Sequence, residues 1–400
     1  MEKNQHKFNR RKLLKMGGVL GAGMMASPEL LWSKATEKAI EKGNKLIFQS
    51  DTISEFAPPS LPELSSLKAR LHWNENPYGP SPKAVNAFKE VANSGNFYSW
   101  DNLGAFVKKV AKKEGVAPNQ IMTGPGSSDL LEKTAVVLFQ NGGNVVSADP
   151  CYMSLIQVVR ASGGDWKPVK LTPDFQHDLD AMEAAIDSET KLVYITNPNN
   201  PTATKTDTKK LYDFCDRVSQ KVPVFVDEAY LELTPEGLSN SMAPLIAKGR
   251  DVFVTRTFSK IHGMAGLRMG YMLANKMQLD KINEITRGGM GISGPTIQAA
   301  IASMDDTDFL KSCKAKISEN REYTMKELKA RSFDPMPSSA NFIIFELPKA
   351  IDPNAFLTEI YSKKITVKAM RFWDTNWCRV SVGTADNMKM FIDAVDDLLV

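Results

Sequence analysis

Apolar runs of strand length alternate with helical patterns through the middle of this 400-residue chain. The strand-like runs are "NVVSA" at 144–148, "KLVYIT" at 191–196, "VPVFVD" at 222–227, "DVFVTRTFS" at 251–259 and "GYMLA" at 270–274. Helical patterns lie between them, for example at 127–140 and 206–219. Alternation of this kind favours a mostly parallel sheet with helices on both faces. The sequence therefore predicts an α/β fold, a three-layer sandwich.

A second block follows towards the C-terminus. A long helical pattern at about 297–331 precedes strand-like runs at 341–347, 364–368 and 378–383 and an amphipathic helix at 387–399. Because 400 residues exceed the size of most single compact domains, we interpret this block as a second, smaller α+β domain. The predicted division is a large domain at 104–295 and a small domain at 296–400, with residues 67–103 forming an N-terminal arm and part of the small domain.

The first 35 residues carry the features of an export signal. Arg10 and Arg11 form a twin arginine, a weakly apolar glycine-rich stretch follows, and Ser33-Lys34-Ala35 offers a small-residue cleavage site. This order resembles a twin-arginine signal, an address that the export machinery reads rather than a membrane anchor. We therefore expect a periplasmic or exported protein, with a cytoplasmic protein as the alternative. Residues 36–66 are poorly patterned and are interpreted as a linker and arm.

Composition argues against several other classes of protein. A formal net charge of +4 over this length gives no reason to expect a nucleic-acid partner. No apolar run reaches the length of a transmembrane helix. The four cysteines lie far apart and the histidines do not cluster with them, so we expect neither a metal site nor a disulfide scaffold.

Polar residues stand where several predicted strands end. "VFVDEAY" places Asp227 at the end of an apolar strand and Tyr230 three residues later, and Lys260 follows the run at 251–259. Ligands of such sheets bind beyond the carboxyl ends of the strands, and a carboxylate there is costly unless it meets a cation or a donor. In "TGPGSSDLL", at 123–131, glycines and serines open a helical pattern, which is a suitable cradle for phosphate.

A lysine, a carboxylate and a phosphate cradle are the groups that pyridoxal 5′-phosphate requires. Their order along the chain is the Gly-Ser cradle, "NPNNPT", "VDEAY" and "TFSKIHGMAGLRMGY". This series resembles the fold-type I pyridoxal-phosphate-dependent aminotransferases of class I/II, and among them the histidinol-phosphate aminotransferase branch, from about residue 73 to the C-terminus. The resemblance implies an aspartate-aminotransferase-like fold and transfer of an amino group between an amino acid, or an amine like one, and a 2-oxo acid.

The resemblance also implies roles for the residues around the cofactor ring. Lys260 would bind the cofactor covalently and then move the α-proton of the substrate. Asp227 would pair with the protonated pyridine nitrogen, and Tyr152 would stack on the ring. Tyr230 and Asn200 would hydrogen-bond the phenolate oxygen of the cofactor.

Further contacts implied by the resemblance lie at the two ends of the site. The predicted phosphate ligands are Ser127, Ser128, Ser259, Arg268 and Tyr98. Tyr98 is similar to a tyrosine that reaches the phosphate from a partner subunit, which implies a homodimer with shared active sites. Arg379, in "CRVSVGT", would bind the α-carboxylate of the substrate in a bidentate fork. Asn74 and Tyr78, in "NENPYG", resemble the substrate-binding arm of the family.

Three local departures from the family pattern stand out. Ala203 replaces a usual glycine, and Phe97-Tyr98-Ser99 replaces Arg-Tyr-Pro but keeps the tyrosine. Trp373 and Trp377 occupy a loop that is often rich in glycine and lies near the substrate entrance, which leaves the substrate open.

Other activities of the same fold stay open on this sequence. Decarboxylases, C–S lyases and racemases use the same lysine. A binding protein without turnover would be expected to lose Lys260 or Asp227, and both are present. Export also weighs against a role in histidine biosynthesis, which is a cytoplasmic task.

Overall fold

The computed structural model describes residues 53–57 and 62–399. The predicted export signal at 1–35 and most of the predicted linker at 36–66 lie outside those ranges. The described strands are β1 Ser54–Phe56, β2 Ala69–Arg70, β3 Ile121–Gly124, β4 Asn144–Asp149, β5 Asp165–Lys170, β6 Thr190–Thr196, β7 Val224–Asp227, β8 Val252–Thr257, β9 Gly270–Leu273, β10 Phe342–Glu346, β11 Ile365–Thr366, β12 Lys368–Phe372 and β13 Thr375–Ser381. The described α-helices are α1 Pro82–Ala92, α2 Trp100–Glu114, α3 Ser127–Leu138, α4 Ser154–Ala161, α5 Leu179–Ala184, α6 Thr208–Val218, α7 Pro244–Ala247, α8 Lys276–Ile285, α9 Gly294–Asp305, α10 Thr307–Ala330, α11 Pro353–Ser362 and α12 Ala385–Leu399. None of these helices is long and apolar enough to span a bilayer.

The larger sheet has the strand order β3-β9-β8-β7-β6-β4-β5. Strands β8, β7, β6, β4 and β5 are parallel to their neighbours in that series, and β9 is antiparallel to both β8 and β3. The α/β architecture with a mostly parallel sheet is thus confirmed, and all five predicted apolar runs form strands in it. The run "DWKPVK" of β5 escaped prediction because its residues are largely exposed and include Pro168, which an edge strand tolerates.

Side chains alternate between the two faces of this sheet, as the strand period requires. On one face Val193 and Val224 pack with residues of α2, α6 and α9. On the other face Leu192 and Phe225 pack with residues of α3, α4 and α8. The central strands are therefore buried on both faces, which explains why they are almost continuously apolar in sequence.

The C-terminal block forms a second, antiparallel sheet with the order β1-β12-β13-β10. The long helical pattern at 297–331 is two helices, because Asp306 leaves the helical conformation (φ −91°, ψ 58°) between α9 and α10. The predicted strand at 364–368 is likewise divided, since Ile365–Thr366 pairs with β2 in a separate parallel ladder. The boundaries proposed for the two domains, at 104–295 and 296–400, stay predictions.

The carboxyl ends of the central strands place the predicted site residues together. Asp227 ends β7, and Tyr152, Asn200 and Lys260 follow β4, β6 and β8. The chain direction across the sheet reverses at β4, because β5 lies on one side of it and β6, β7 and β8 on the other. Such a reversal is where open α/β sheets bind their ligands.

Candidate active site

Lys260 lies in the loop after β8 with its amine among main-chain carbonyl oxygens and the ring of Tyr230. Nζ donates to the carbonyl oxygen of Asn74 at 3.0 Å and to that of Trp73 at 3.5 Å, and it lies 5.2 Å from the centre of the Tyr230 ring. Burial, followed by the positive charge of Arg379, lowers the pKa of Lys260 from 10.5 to about 8. A sizeable fraction of the amine is therefore neutral near pH 7–8, the form that serves as nucleophile or base.

Asp227 is a buried carboxylate at the end of β7, only 3% exposed. Its Oδ1 accepts hydrogen bonds from the Thr255 hydroxyl at 3.0 Å and from the Ala229 N–H at 3.2 Å. Burial raises the pKa of Asp227 from 3.8 to about 6. A cationic partner would favour the ionised form, so the site suits a protonated ring nitrogen.

Tyr230 and Asn74 are joined by a hydrogen bond in which Asn74 Nδ2 donates to the phenolic oxygen at 3.1 Å. Burial raises the pKa of Tyr230 to about 12. The main-chain N–H of Asn74 donates to Ser381 Oγ at 2.7 Å, and that hydroxyl lies 3.1 Å from Asn74 Oδ1. Asn74 therefore orients Tyr230 and, through its carbonyl, Lys260; its predicted contact with substrate stays a prediction.

Arg379 brings a buried cation from β13 to the site. It donates to Asn200 Oδ1 at 2.7 Å and to the carbonyl oxygen of His72 at 3.1 Å. Its Nε is buried and has no hydrogen-bond partner within residues 53–57 and 62–399. Burial lowers the pKa of Arg379 below its ordinary value. A buried guanidinium with a free N–H fits an incoming carboxylate, which would relieve its desolvation.

The opening of α3 and Arg268 form the predicted phosphate cradle. Arg268 donates to Ser259 Oγ at 3.2 Å, and its guanidinium lies so close to Gly126 that a Cβ there would fall 2.2 Å from a terminal nitrogen. Gly126 has φ 90° and directly precedes Ser127, the first residue of the helix. Helix N–H groups and a guanidinium thus converge, and both favour a phosphate dianion.

Tyr152 links this cradle to the rest of the site. Its hydroxyl lies 3.2 Å from Ser128 Oγ, and burial raises the pKa of Tyr152 above its ordinary value. After burial, the negative charge of Asp227 contributes to the raised pKa of Tyr152, and the charges of Asp227 and Arg268 also act on the pKa of Lys260. The structure therefore brings the predicted ring, phosphate and carboxylate contacts into one site.

Two predicted residues lie apart from this group. Tyr98 is 84% exposed and stacks on Trp100, with 5.7 Å between ring centres. The Tyr78 hydroxyl accepts from Asn320 Nδ2 at 3.0 Å, and the Lys316 amine lies over its ring. Within the described residues neither tyrosine makes a hydrogen bond or ring contact with another predicted site residue.

Two residues of the site, Thr255 and Ser381, were missed by sequence reasoning. Thr255 lies opposite Asp227 in the neighbouring parallel strand, and Ser381 holds Asn74 from the small sheet. The available signal was a hydroxyl residue inside an apolar strand. Pairing it with the correct partner requires strand order and register, which the sequence pattern does not give.

The departures from the family pattern have local consequences. Ala203 adopts φ 61°, a left-handed conformation that glycine accepts more easily, which explains the usual glycine. Trp373, with φ 51°, forms with Asp374 the two-residue turn between β12 and β13. Its ring stacks on Phe175, and Trp373, Phe175 and Trp377 line a groove of about 520 Å³ beside the small sheet.

Comparison with known proteins identifies the family. Residues 68–395 match the family model described as aminotransferase class I and II. The histidinol-phosphate aminotransferase of Moorella thermoacetica is 32% identical over 334 residues, which are 82% of this chain and 85% of that protein. The chain therefore belongs to the class I and II aminotransferases and is a pyridoxal-phosphate-dependent transferase.

Solved structures agree with this family and with the predicted fold. The histidinol-phosphate aminotransferase of Sinorhizobium meliloti, in complex with pyridoxal 5′-phosphate, has a TM-score of 0.76 and 26% identity and covers 83% of this chain and 92% of its own. An aspartate aminotransferase variant of Thermus thermophilus has a TM-score of 0.70 at 18% identity, covers 85% of this chain and 99% of its own, and shows the fold alone.

The residues present fit pyridoxal 5′-phosphate. The guanidinium of Arg268 lies close to Gly126 at the start of α3, where the two could bind the phosphate. The buried Asp227 lacks a cationic hydrogen-bond partner in the described part of the chain. The Lys260 amine is available between them, because its hydrogen bonds are to carbonyl oxygens alone.

Proposed function

We propose that the chain moves an amino group from an amino acid, or a similar amine, to a 2-oxo acid, with Lys260 as the proton-transfer residue. The observation that carries this proposal is the Lys260 amine, which within the described residues hydrogen-bonds only to the carbonyl oxygens of Asn74 and Trp73 and whose pKa burial and the charge of Arg379 lower to about 8. When bound, the cofactor supplies an electron sink for the bond that breaks at the α-carbon. Lys260 would accept the α-proton at Nζ and deliver it to the cofactor rather than back to the α-carbon, which completes the first half of the exchange.

The other residues bind and orient. Arg379 would hold the α-carboxylate with two of its own groups, the terminal N–H that now donates to Asn200 and the Nε–H that has no partner among the described residues. Asp227 would keep the ring nitrogen protonated, and Tyr230, oriented by Asn74, would donate to the ring oxygen. Arg268 would neutralise the phosphate.

Same-fold decarboxylation, C–S lysis and racemisation differ from transamination in the bond that breaks, so the products separate them. Purified protein is mixed with single amino acids and with histidinol phosphate, since the relatives are named for that substrate. We expect a 2-oxo acid from an amino acid, or a ketone from histidinol phosphate, by mass spectrometry, with a matching change in cofactor absorbance. Carbon dioxide, a thiol or the mirror-image amino acid as the main product would overturn the proposal. Borohydride reduction and peptide mapping should place the cofactor on Lys260.

We further propose a homodimer in which Tyr98 contacts the cofactor phosphate of the partner site. Tyr98 and its neighbour Phe97 are 84% and 72% exposed, which is unusual for such side chains. Mixed dimers of a Lys260→Ala subunit and a Tyr98→Phe subunit should contain one native site and regain activity over either parent. Activity that never exceeds that of the parents would refute the shared site.

Export through the twin-arginine route is also a proposal, and Arg10 and Arg11 lie outside the described residues. It is supported by the order of the twin arginine, the weakly apolar stretch and the small-residue site. Changing both arginines to lysine should hold the protein, still active, in the cytoplasm. Equal periplasmic amounts of the two forms on cell fractionation would return the enzyme to cytoplasmic metabolism.

A further inference from the structure

The register of the small sheet places a second cation beside Arg379. Lys368 of β12 lies directly opposite Arg379 of β13. Residues directly opposite each other in antiparallel strands project from the same face, so Lys368 is on the face that turns to the active site. Burial, followed by the charge of Arg379, lowers the pKa of Lys368. The two cations are thus close enough to influence each other.

Glu55 pairs directly with the second cation, and its charge also raises the pKa of the first without pairing with it. Its carboxylate oxygens lie 3.0 Å and 2.7 Å from Lys368 Nζ, and no hydrogen bond or ion pair joins it to Arg379. Glu55 belongs to β1, where it lies opposite Met370, two residues from Lys368. The nearby His72 is neutral, because burial lowers its pKa to about 4. The formal charges of Glu55, Lys368, His72 and Arg379 sum to +1, and Arg379 is the cation of this group that has no paired acid within it.

We infer that Glu55 occupies Lys368 in place of a second acidic group of the substrate, so that the site accepts substrates with a single anionic group. This inference rests on the proposed role of Arg379. A substrate with two anionic groups, one on Arg379, must bring the other against the Glu55–Lys368 pair. Its carboxylate or phosphate then competes with Glu55 for the same ammonium donors and meets a like charge. A substrate with an uncharged side chain leaves the pair intact.

Binding of two unreactive acids tests the inference on the holoenzyme. Succinate and butyrate have the same number of carbon atoms and differ by one carboxylate. In the Glu55→Gln variant, Lys368 is free to bind the second carboxylate. We expect the affinity for succinate, measured by calorimetry, to rise about tenfold, as for one charge-assisted hydrogen bond, and that for butyrate to change less than about twofold.

Two further variants assign the effect. The gain for succinate should vanish in the double variant Glu55→Gln/Lys368→Gln, because the freed ammonium is then absent. Asp393→Asn is the matched control: it removes an acid that pairs with Lys389 at 2.9 Å on α12, and should leave both affinities unchanged.

Three outcomes would overturn the inference: no change for succinate in Glu55→Gln, an equal gain for both acids, or a gain that survives the loss of Lys368. Failure of the proposed function is a separate result. If Arg379→Gln does not weaken butyrate binding, Arg379 is not the residue that binds the carboxylate of the substrate. Absence of any amino-acid exchange, with the selectivity change intact, would count against transamination alone.

Discussion

Replacing Lys260 by methionine should stabilise the cofactor-free protein in a pH-dependent way. Burial and the charge of Arg379 lower the pKa of this amine from 10.5 to about 8. Between those pH values the native protein binds fewer protons than the unfolded chain, so the free energy of unfolding of the wild type rises with pH there. Below about pH 8 the amine is charged in both states, and the cost of burying the charge is fully present.

The size of the effect follows from the pKa difference. A fall of the pKa by about 2.5, from 10.5 to about 8, corresponds to about 3.5 kcal/mol at most, because one pKa unit is about 1.4 kcal/mol. Methionine loses the hydrogen bonds of the amine to the carbonyl oxygens of Asn74 and Trp73, which offsets part of the gain. We therefore expect the variant to be about 1–2 kcal/mol more stable at about pH 7, and to become slightly less stable than the wild type near pH 10.5, where the lost hydrogen bonds dominate.

Urea denaturation of both proteins from about pH 6 to about pH 10.5 measures the difference. Lys108→Met, at an exposed position of α2, serves as the control and should show no such trend. A constant difference between wild type and the Lys260 variant over this range would refute the electrostatic reasoning. A variant that is less stable than the wild type below pH 8 would refute it as well.

Three further predictions concern single residues. Burial raises the pKa of Asp227 from 3.8 to about 6, so the cofactor-free wild type should lose up to about 3 kcal/mol of stability as pH rises between these two values. Urea denaturation should show this loss in the wild type and not in Asp227→Asn. Arg268→Gln should weaken pyridoxal-phosphate binding by about 10–100-fold in fluorescence titration, because a charge-assisted contact to phosphate is lost. Ala203→Gly should increase the free energy of unfolding by about 0.5–1 kcal/mol, since it relieves a left-handed alanine at some cost in unfolded-chain entropy; the thermal midpoint should rise slightly.

The large sheet and the cofactor side of the site were accessible from the sequence. The five central strands are buried on both faces, so each appears as an apolar run that local pattern detects. Asp227 and Lys260 follow such runs directly, and a carboxylate or amine there has few structural uses. Motif order then connected these residues to one cofactor.

Contacts between distant parts of the chain were not accessible in the same way. Asn74 meets Ser381 across 307 positions, and Lys368 meets Glu55 across 313. The contact of Lys368 with Glu55 depends on the register of two strands, and a shift of one residue turns a side chain to the opposite face. The contact of Asn74 with Ser381 joins a loop residue to β13. Local pattern fixes neither register nor strand order in the small sheet, so the neighbours of Arg379 required the structure.

The two consecutive acids of "VDEAY" show how the fold prepares its chemistry. Because side chains alternate at a strand end, Asp227 faces the active site while Glu228 turns into the core and pairs with the buried Arg256. Glu228 also accepts from the Met242 N–H at 2.8 Å, and Arg256 donates to Ser241 Oγ at 2.8 Å. Burial, and to a smaller extent the negative charge of Glu228, raises the pKa of Asp227, whereas the hydrogen bonds from Thr255 and the Ala229 N–H lower it. Arg256 lowers the pKa of Glu228 and pairs with it, so the guanidinium holds this second acid in the core and leaves Asp227 as the carboxylate that would meet a protonated ring nitrogen.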